Sequence, residues 1–409
     1  MVWTRFGQIA GGSPEGAAAA AAVSAQSVPD AWIGGAAVAR RGADHSVARD
    51  LVLRHGWNTT VYQVLNPDIL HWFTPAGDAL VGYVQHAGVR VVAGAPVCHY
   101  DRLAEIARAF EDDGRARGLR TCYFSVEPRW LELVRRRSEV ALIGAQPVWD
   151  AATWRETVDS HASLRAQFNR ARNKGVAVER WPASRLVRGQ PGAAELRGLR
   201  TRWATAHGLP PLGFLTGTEL LPDDADPNGP LTLDRRLYVA SRDGDAVGYL
   251  VASPIPMRNG WLIEQVVRDP AAPNGTAELL IDSAATDLAA LGASRLTLGL
   301  CPLSRMHRPV EEPRRESPAW LRLAFAWGYA HGRRFYDFAG LEAFKEKFWP
   351  PRWEPIYLVG GEGIGLRTLY AVAAAFTGGR PVNALAQGVW RAYGPGRRSV
   401  ADPAGRARR

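Results

Sequence analysis

Apolar residues recur with a regular period from about Leu51 onward, whereas residues 1–48 are rich in Ala, Gly and Ser and carry no such period. A flexible leader over 1–48 is therefore expected, followed by the folded chain. Residues 79–84 and 89–93 predict a strand pair, 103–116 a helix and 120–126 a further strand, with more elements to about Val148. The same order returns downstream: strands over 236–241, 246–253 and 260–267, a helix over 277–291, then a strand over 296–301. A short echo accompanies it, because Gly77-Asp78-Ala79-Leu80-Val81-Gly82-Tyr83 parallels Gly244-Asp245-Ala246-Val247-Gly248-Tyr249, each a turn entering a strand. An internal duplication into two strand-rich lobes of the α/β (α+β) class is the expected architecture.

Between the repeats, residues 163–176 predict a helix closed by Gly175. Arg165, Arg170, Arg172 and Lys174 crowd it, beside an apolar stripe of Leu164 and Phe168. Two readings stand: a solvated face with cations near the helix C-terminus, or a surface for phosphates. Past Leu358, residues 364–376 predict a mainly apolar helix, and the tail from Arg391 carries six arginines against Asp402. That pairing suits a peripheral anchor on anionic lipid, or equally a helix packed on the second lobe with a disordered tail.

The 409 residues, 46% of them apolar, exceed what one hydrophobic core usually serves, which agrees with two domains. Net charge is +10, and the only lysines are Lys174, Lys345 and Lys347. An arginine excess fits a polyanionic partner, RNA or lipid headgroups, but also follows from a GC-rich genome. No stretch reaches the roughly 18 apolar residues of a membrane span. The alanine run 17–22 is interrupted upstream by Gly11-Gly12-Ser13-Pro14-Glu15 and reads as leader, not signal peptide. Three scattered cysteines (Cys98, Cys122, Cys301) form neither a disulfide framework nor a spaced metal site and fit a reducing setting. No HExxH, GxSxG or GKS/GKT motif occurs, which weighs against zinc hydrolases, serine hydrolases and nucleotidases.

Three ordered segments are more specific: Val267-Arg268-Asp269-Pro270-Ala271-Ala272-Pro273-Asn274-Gly275-Thr276-Ala277-Glu278, then Leu298-Gly299-Leu300-Cys301-Pro302-Leu303-Ser304, then 335–348 with Lys345 and Lys347, closing on Trp353-Glu354-Pro355-Ile356-Tyr357-Leu358. From about Trp72 to Val359 the chain resembles the C-terminal catalytic domain of the phosphatidylglycerol lysyltransferases, a tandem GNAT (N-acetyltransferase-like) fold. The resemblance implies a first lobe over 49–150, a basic inter-lobe helix and linker over 151–190, a catalytic second lobe over 191–360, and a C-terminal helix and tail over 361–409. It implies an aminoacyl-tRNA donor, a lipid hydroxyl on an anionic phospholipid as acceptor, no metal or other cofactor, and a cytoplasmic enzyme peripheral to the inner face of the membrane. It also moves Arg165, Arg170, Arg172 and Lys174 toward tRNA phosphates, contacts that would be sequence-independent and salt-sensitive.

Ester-to-ester transfer needs an acceptor hydroxyl deprotonated and a carbonyl oxyanion stabilised. Arg268 ends a predicted strand, and the turn 270–274 enters a helix near Thr276 whose free N–H groups make a positive pole. Arg268, Asn274 and Glu278 are the expected catalytic residues; Glu264, Gln265, Gly275, Thr276, Lys345, Lys347 and Trp353 are the expected substrate-binding residues. Bland roles compete: capping for Asn274, Gly275 and Thr276, ion pairs for Glu264 and Glu278, cation–π packing for the lysines. Pro270 and Pro273 remove backbone donors from the turn, which disfavours coenzyme A. In the family an aspartate precedes the matching arginine by three residues; Gln265 stands there, so a cationic lysyl donor is less well supported. Two alternatives stay open: a GNAT-type N-acyltransferase acting on a soluble amine, and a non-catalytic protein that binds tRNA or anionic membrane.

Overall fold

A computed structural model describes residues 35–186, 190–207, 213–216, 234–304 and 338–379. The first half runs α1 (Gly35–His55), β1 (Leu70–Phe73), β2 (Leu80–His86), β3 (Val89–Ala93), α2 (Leu103–Ala116), β4 (Arg120–Val126), α3 (Pro128–Val134) and β5 (Glu139–Trp149). Two short helices follow, α4 (Trp154–Ser160) and α5 (Ala162–Arg172), then β6 (Ala177–Trp181) and α6 (Pro191–His207). The second half repeats the first: β7 (Arg236–Arg242), β8 (Asp245–Ile255), β9 (Gly260–Arg268), α7 (Thr276–Ala290), β10 (Arg295–Thr297), β11 (Cys301–Pro302), α8 (Phe338–Glu346) and β12 (Arg352–Gly360), followed by α9 (Leu366–Phe376).

Local chemistry explains most of these elements. The β2–β3 turn places Ala87 and Gly88 at positive φ, and the β7–β8 turn does the same with Asp243 and Gly244, the conformation of a two-residue hairpin whose twist matches its strands. In α2 the buried Leu103, Ile106, Ala107 and Phe110 repeat every three or four residues and face the sheet. All five residues of β3 are buried, as expected of a strand in parallel pairing with helices over it.

What joins the halves is an exchange of strands. The described strands form one sheet ordered β1-β2-β3-β4-β12-β5-β10-β9-β8-β7-β6. Each half builds an antiparallel run and then a parallel partner, β3 with β4 and β9 with β10. The next position is filled from the other half: β12 pairs antiparallel with β4, β5 pairs antiparallel with β10, and β12 and β5 pair with each other. Packing follows the exchange. Ile356 and Leu358 of β12 join the first-half core beneath α1 and α9, and Tyr357 and Val359 join the opposite core beneath α2 and α3. Trp149 of β5 and Leu296 of β10 lie in the second-half core with α5 and α7.

Two expectations change. A helix already runs from Gly35 within the supposed 1–48 leader; Ala48 is fully buried, and Arg49 grips Asp234 of the second half. The expected apolar stripe of the basic helix is present, with Leu164, Phe168 and Ala171 of α5 packed in the α7 core. The apolar C-terminal helix packs across β2 and β3 of the first half, not on the second. Residues 1–34 and the arginine tail 380–409 lie outside the described residues, as does Phe335-Tyr336-Asp337. No helix among the described residues is long and apolar enough to cross a membrane.

Candidate active site

The parallel pair β9–β10 is in register only from Gly260↔Arg295 to Leu262↔Thr297. Beyond it β9 continues to Arg268, while the other chain turns away through Gly299 at φ 69° before pairing with β5 at Cys301↔Ala145. A bulge adds to the divergence: Val251 faces Gln265 and Ala252 faces Ile263, which leaves Glu264 as the extra residue of β9. The result is a wedge between the two strands, where the sequence predicts one unbroken strand over 296–301.

Lys345 of α8 closes the narrow side of this wedge. Its ammonium donates to Gly299 O at 2.8 Å and Leu300 O at 2.9 Å, so it satisfies carbonyls that have left the sheet. Burial pulls its pKa down to about 8, against a smaller opposing influence of Cys301. Burial likewise pushes the Cys301 thiol up to about 11, so that thiol is neutral and inert at ordinary pH. Lys345 is thus a buried cation on backbone oxygens, not an exposed phosphate contact.

The wide end holds most of the expected residues. Arg268 donates to Asn274 Oδ1 at 3.3 Å. Gly275 sits at φ 94° with its α-carbon against α5, where a Cβ would collide with the carbonyl oxygen of Gln167, so glycine is required there for two reasons. The Thr276 hydroxyl donates to Pro273 O at 2.7 Å and does not cap the helix, so no side chain closes the N-terminus of α7. Glu278, buried in the first turn of α7, lies 3.7 Å from the Lys347 ammonium, which also sits 5.7 Å from the Phe344 ring centroid. On β9, Gln265 accepts from the Tyr249 hydroxyl at 3.5 Å. Trp353 packs with Ala145, Cys301 and Leu341 on the β11 side.

Other expected residues are committed elsewhere. Glu264 accepts from Arg235 through both oxygens, at 3.0 and 3.2 Å, and Arg235 also reaches Asn66 and covers the Tyr62 ring. Its carboxylate is already neutralised, which removes it as the expected partner of a donor amino group. Arg165 donates to the last carbonyls of α4, Val158 and Asp159, and Arg172 donates to the buried Asp282 at 3.0 Å beside the Trp154 indole. Arg170, bonded within its own helix, and Lys174 are exposed and bound to no carboxylate among the described residues, whereas Arg172, its side chain 48% exposed, is tied to Asp282.

A second ionic group escaped the sequence entirely. Glu354 of β12 binds Arg295 of β10 through both oxygens and also meets Arg258 and Arg352, while Arg258 pairs with Glu127 at 2.5 Å. Burial pushes the Glu354 carboxyl upward, but Arg295, with Arg258 and Gln146, outweighs it and holds the pKa at about 2. The residues lie far apart in sequence, and no spacing rule links them.

Against this geometry, the family model of the phosphatidylglycerol lysyltransferase C-terminal domain matches residues 49–360, more than three quarters of the chain. The chain belongs to that family. Solved structures agree on the fold. A C-terminal domain named for a lysylphosphatidylglycerol synthetase of Agrobacterium fabrum superposes with a TM-score of 0.68 at 22% identity, covering 83% of this chain and 98% of that one. An L-PGS structure from Bacillus licheniformis gives 0.63 at 19% identity, covering 84% and 95%. A conserved protein of unknown function from Bacteroides thetaiotaomicron gives 0.50 at 12% identity, covering 78% and 96%. No curated protein matches the sequence. Membership makes this chain an enzyme of the aminoacyl and acyl transferase class, built as two halves of like element order.

Proposed function

We propose that this family member transfers an aminoacyl group from tRNA to a hydroxyl of a phosphatidylglycerol-like lipid at a membrane surface, with the β9–β10 wedge as the reaction site. The observation that carries the reading is the wedge itself, which combines an open strand edge, a cation at its root and the uncapped N-terminus of α7 at its mouth. The acceptor hydroxyl oxygen attacks the aminoacyl carbonyl carbon, and the ester C–O bond to the tRNA ribose breaks. The hydroxyl proton passes through the Glu278 carboxylate to the departing ribose oxygen. The free N–H groups of α7 and Arg268 supply positive charge where the carbonyl oxygen becomes an anion, while Lys345 at the root holds the diverging strand through Gly299 and Leu300. Lys347, 3.7 Å from the Glu278 carboxylate, lies beside the path of that proton.

Donor choice follows from the carboxylates. With Gln265 neutral and Glu264 held by Arg235, β9 offers no free negative charge to a cationic side chain, so the favoured donor carries a neutral amino acid. Pro270 and Pro273 leave the turn before α7 poor in amides, which favours an acyl ester on RNA over a pyrophosphate-bearing thioester. The test mixes purified protein, anionic liposomes and a panel of labelled aminoacyl-tRNAs, and follows label into the lipid phase. Transfer is expected with a neutral amino acid. Absence of transfer from every donor, together with turnover of acetyl-coenzyme A, would overturn the reading.

A further inference from the structure

A second recess lies in the first half, where the chain leaving α1 meets the loop after β3 and the start of α3. It is a small recess with a cavity volume of about 30 Å³, and His55, Trp57, Asn58, Cys98, Arg129 and Trp130 are among its lining residues. No carboxylate lines it. Apolar neighbours Val61, Val97 and Leu103 reduce its access to water.

Two groups there lack polar partners among the described residues, the half-buried Arg129 and the buried Trp130. The buried arginines Arg90, Arg235 and Arg295 each bind a carboxylate. Arg129 binds none among the described residues; its guanidinium instead lies 4.0 Å from the Trp57 ring centroid and 4.3 Å from that of Tyr100. The nearest acid in sequence, Glu127, is occupied by Arg258 and by the Thr59 amide. Aromatic contacts hold the guanidinium in place without neutralising it, so its in-plane N–H groups stay available for a bidentate acceptor. Trp130 is 1% exposed, and its indole N–H has no acceptor. A buried donor left unsatisfied carries a desolvation penalty that a bound acceptor would relieve.

We propose that this recess is an anion site, separate from the wedge, that takes a phosphate group between the Arg129 guanidinium and the Trp130 indole N–H. A fixed planar cation, a neutral donor and a wall without carboxylates together match a tetrahedral oxyanion, whether it arrives as a free phosphate or as the phosphodiester of a lipid headgroup. The site does not depend on acyl transfer at the wedge, so failure of either reading leaves the other standing.

The experiment uses the full chain with its 15 tryptophans labelled with ¹⁵N at the indole nitrogen. Trp130→Phe assigns the Trp130 resonance by its disappearance. Protein is titrated with inorganic phosphate, with sn-glycero-3-phosphoglycerol and with phosphatidylglycerol vesicles, each against sodium chloride of equal ionic strength. The Trp130 resonance is expected to move downfield and saturate. Arg129→Gln is expected to weaken that response by about tenfold or more, with at most a small fall in melting temperature, because it loses the contacts with Trp57 and Tyr100 but no ion pair. Saturation by inorganic phosphate alone supports the site with a small phosphate as ligand; saturation by the glycerophosphodiester or the vesicles supports it with a headgroup as ligand. A resonance that stays still in all three, that follows chloride equally, or that responds undiminished in Arg129→Gln overturns the proposal.

Discussion

Replacing Glu354 by Gln should weaken the whole molecule, not one half of it. In the native protein its carboxyl is held at about 2 against an ordinary 4.5, and this difference corresponds to about 3 kcal/mol at neutral pH. The side chain is 20% exposed and its partner Arg295 only 5%, so solvent screens the pair weakly. Glu354→Gln leaves Arg295 and Arg258 as buried charges with less compensation, and breaking such a group costs about 3–5 kcal/mol. The sign of the pH dependence is fixed, because the folded carboxyl titrates below the unfolded one. The stabilisation is complete above about pH 4.5 and disappears as pH falls toward 2. Urea denaturation at pH 7 should therefore show the variant less stable by about 3 kcal/mol, and the gap should close progressively as the titration moves from pH 5 toward pH 2. A variant within about 0.5 kcal/mol of wild type at pH 7, or a gap that does not change with acid, would refute the reasoning.

Three further outcomes are expected. Gly275→Ala forces a Cβ onto the α5 backbone at a positive φ and should lower stability by about 2–4 kcal/mol, read as a fall in melting temperature; an unchanged melt would remove the close approach from the account. Lys345→Met should abolish transfer; because the folded ammonium titrates near 8 against an ordinary 10.5, wild-type stability should rise between pH 8 and 10.5 and the variant's should not, and activity retained in the variant would exclude the cation from catalysis. Arg170→Glu with Lys174→Glu should weaken tRNA binding and flatten its salt dependence, whereas Arg172→Gln should chiefly destabilise the α5–α7 contact through Asp282; equal loss of tRNA affinity in both would contradict that division.

Much of the element order was legible because alternation and helical spacing are local properties. The residues of β2, β3, α2 and α7 announce their faces within one or two turns of chain. The motif from Arg268 to Glu278 was legible for the same reason, since strand end, turn and helix start are contiguous. Strand neighbours were not. Tyr357 pairs with both Val126 and Leu142, and nothing in its own segment names either partner. The break at Gly299 was hidden because Leu298, Leu300 and Cys301 continue the apolar run, although Gly299 itself, at positive φ, was the signal that could have marked it. The fates of Glu264 and Arg172 depended on Arg235 and Asp282, residues brought near only by the fold, so acids and bases that read as substrate ligands turned out to be paired with the protein itself.

The strand exchange also sets when this protein can fold. During synthesis the first half emerges with β4 and β5 already made, yet the strand that belongs between them ends at Gly360. Until that residue clears the ribosome, two apolar strands wait with open edges, exposed to each other and to neighbouring nascent chains. A nonsense codon anywhere before β12 would yield a first half whose central sheet lacks a member, not a smaller folded protein. A shortened version would have to carry both exchanged strands, or supply β12 as a separate peptide able to take its place between β4 and β5.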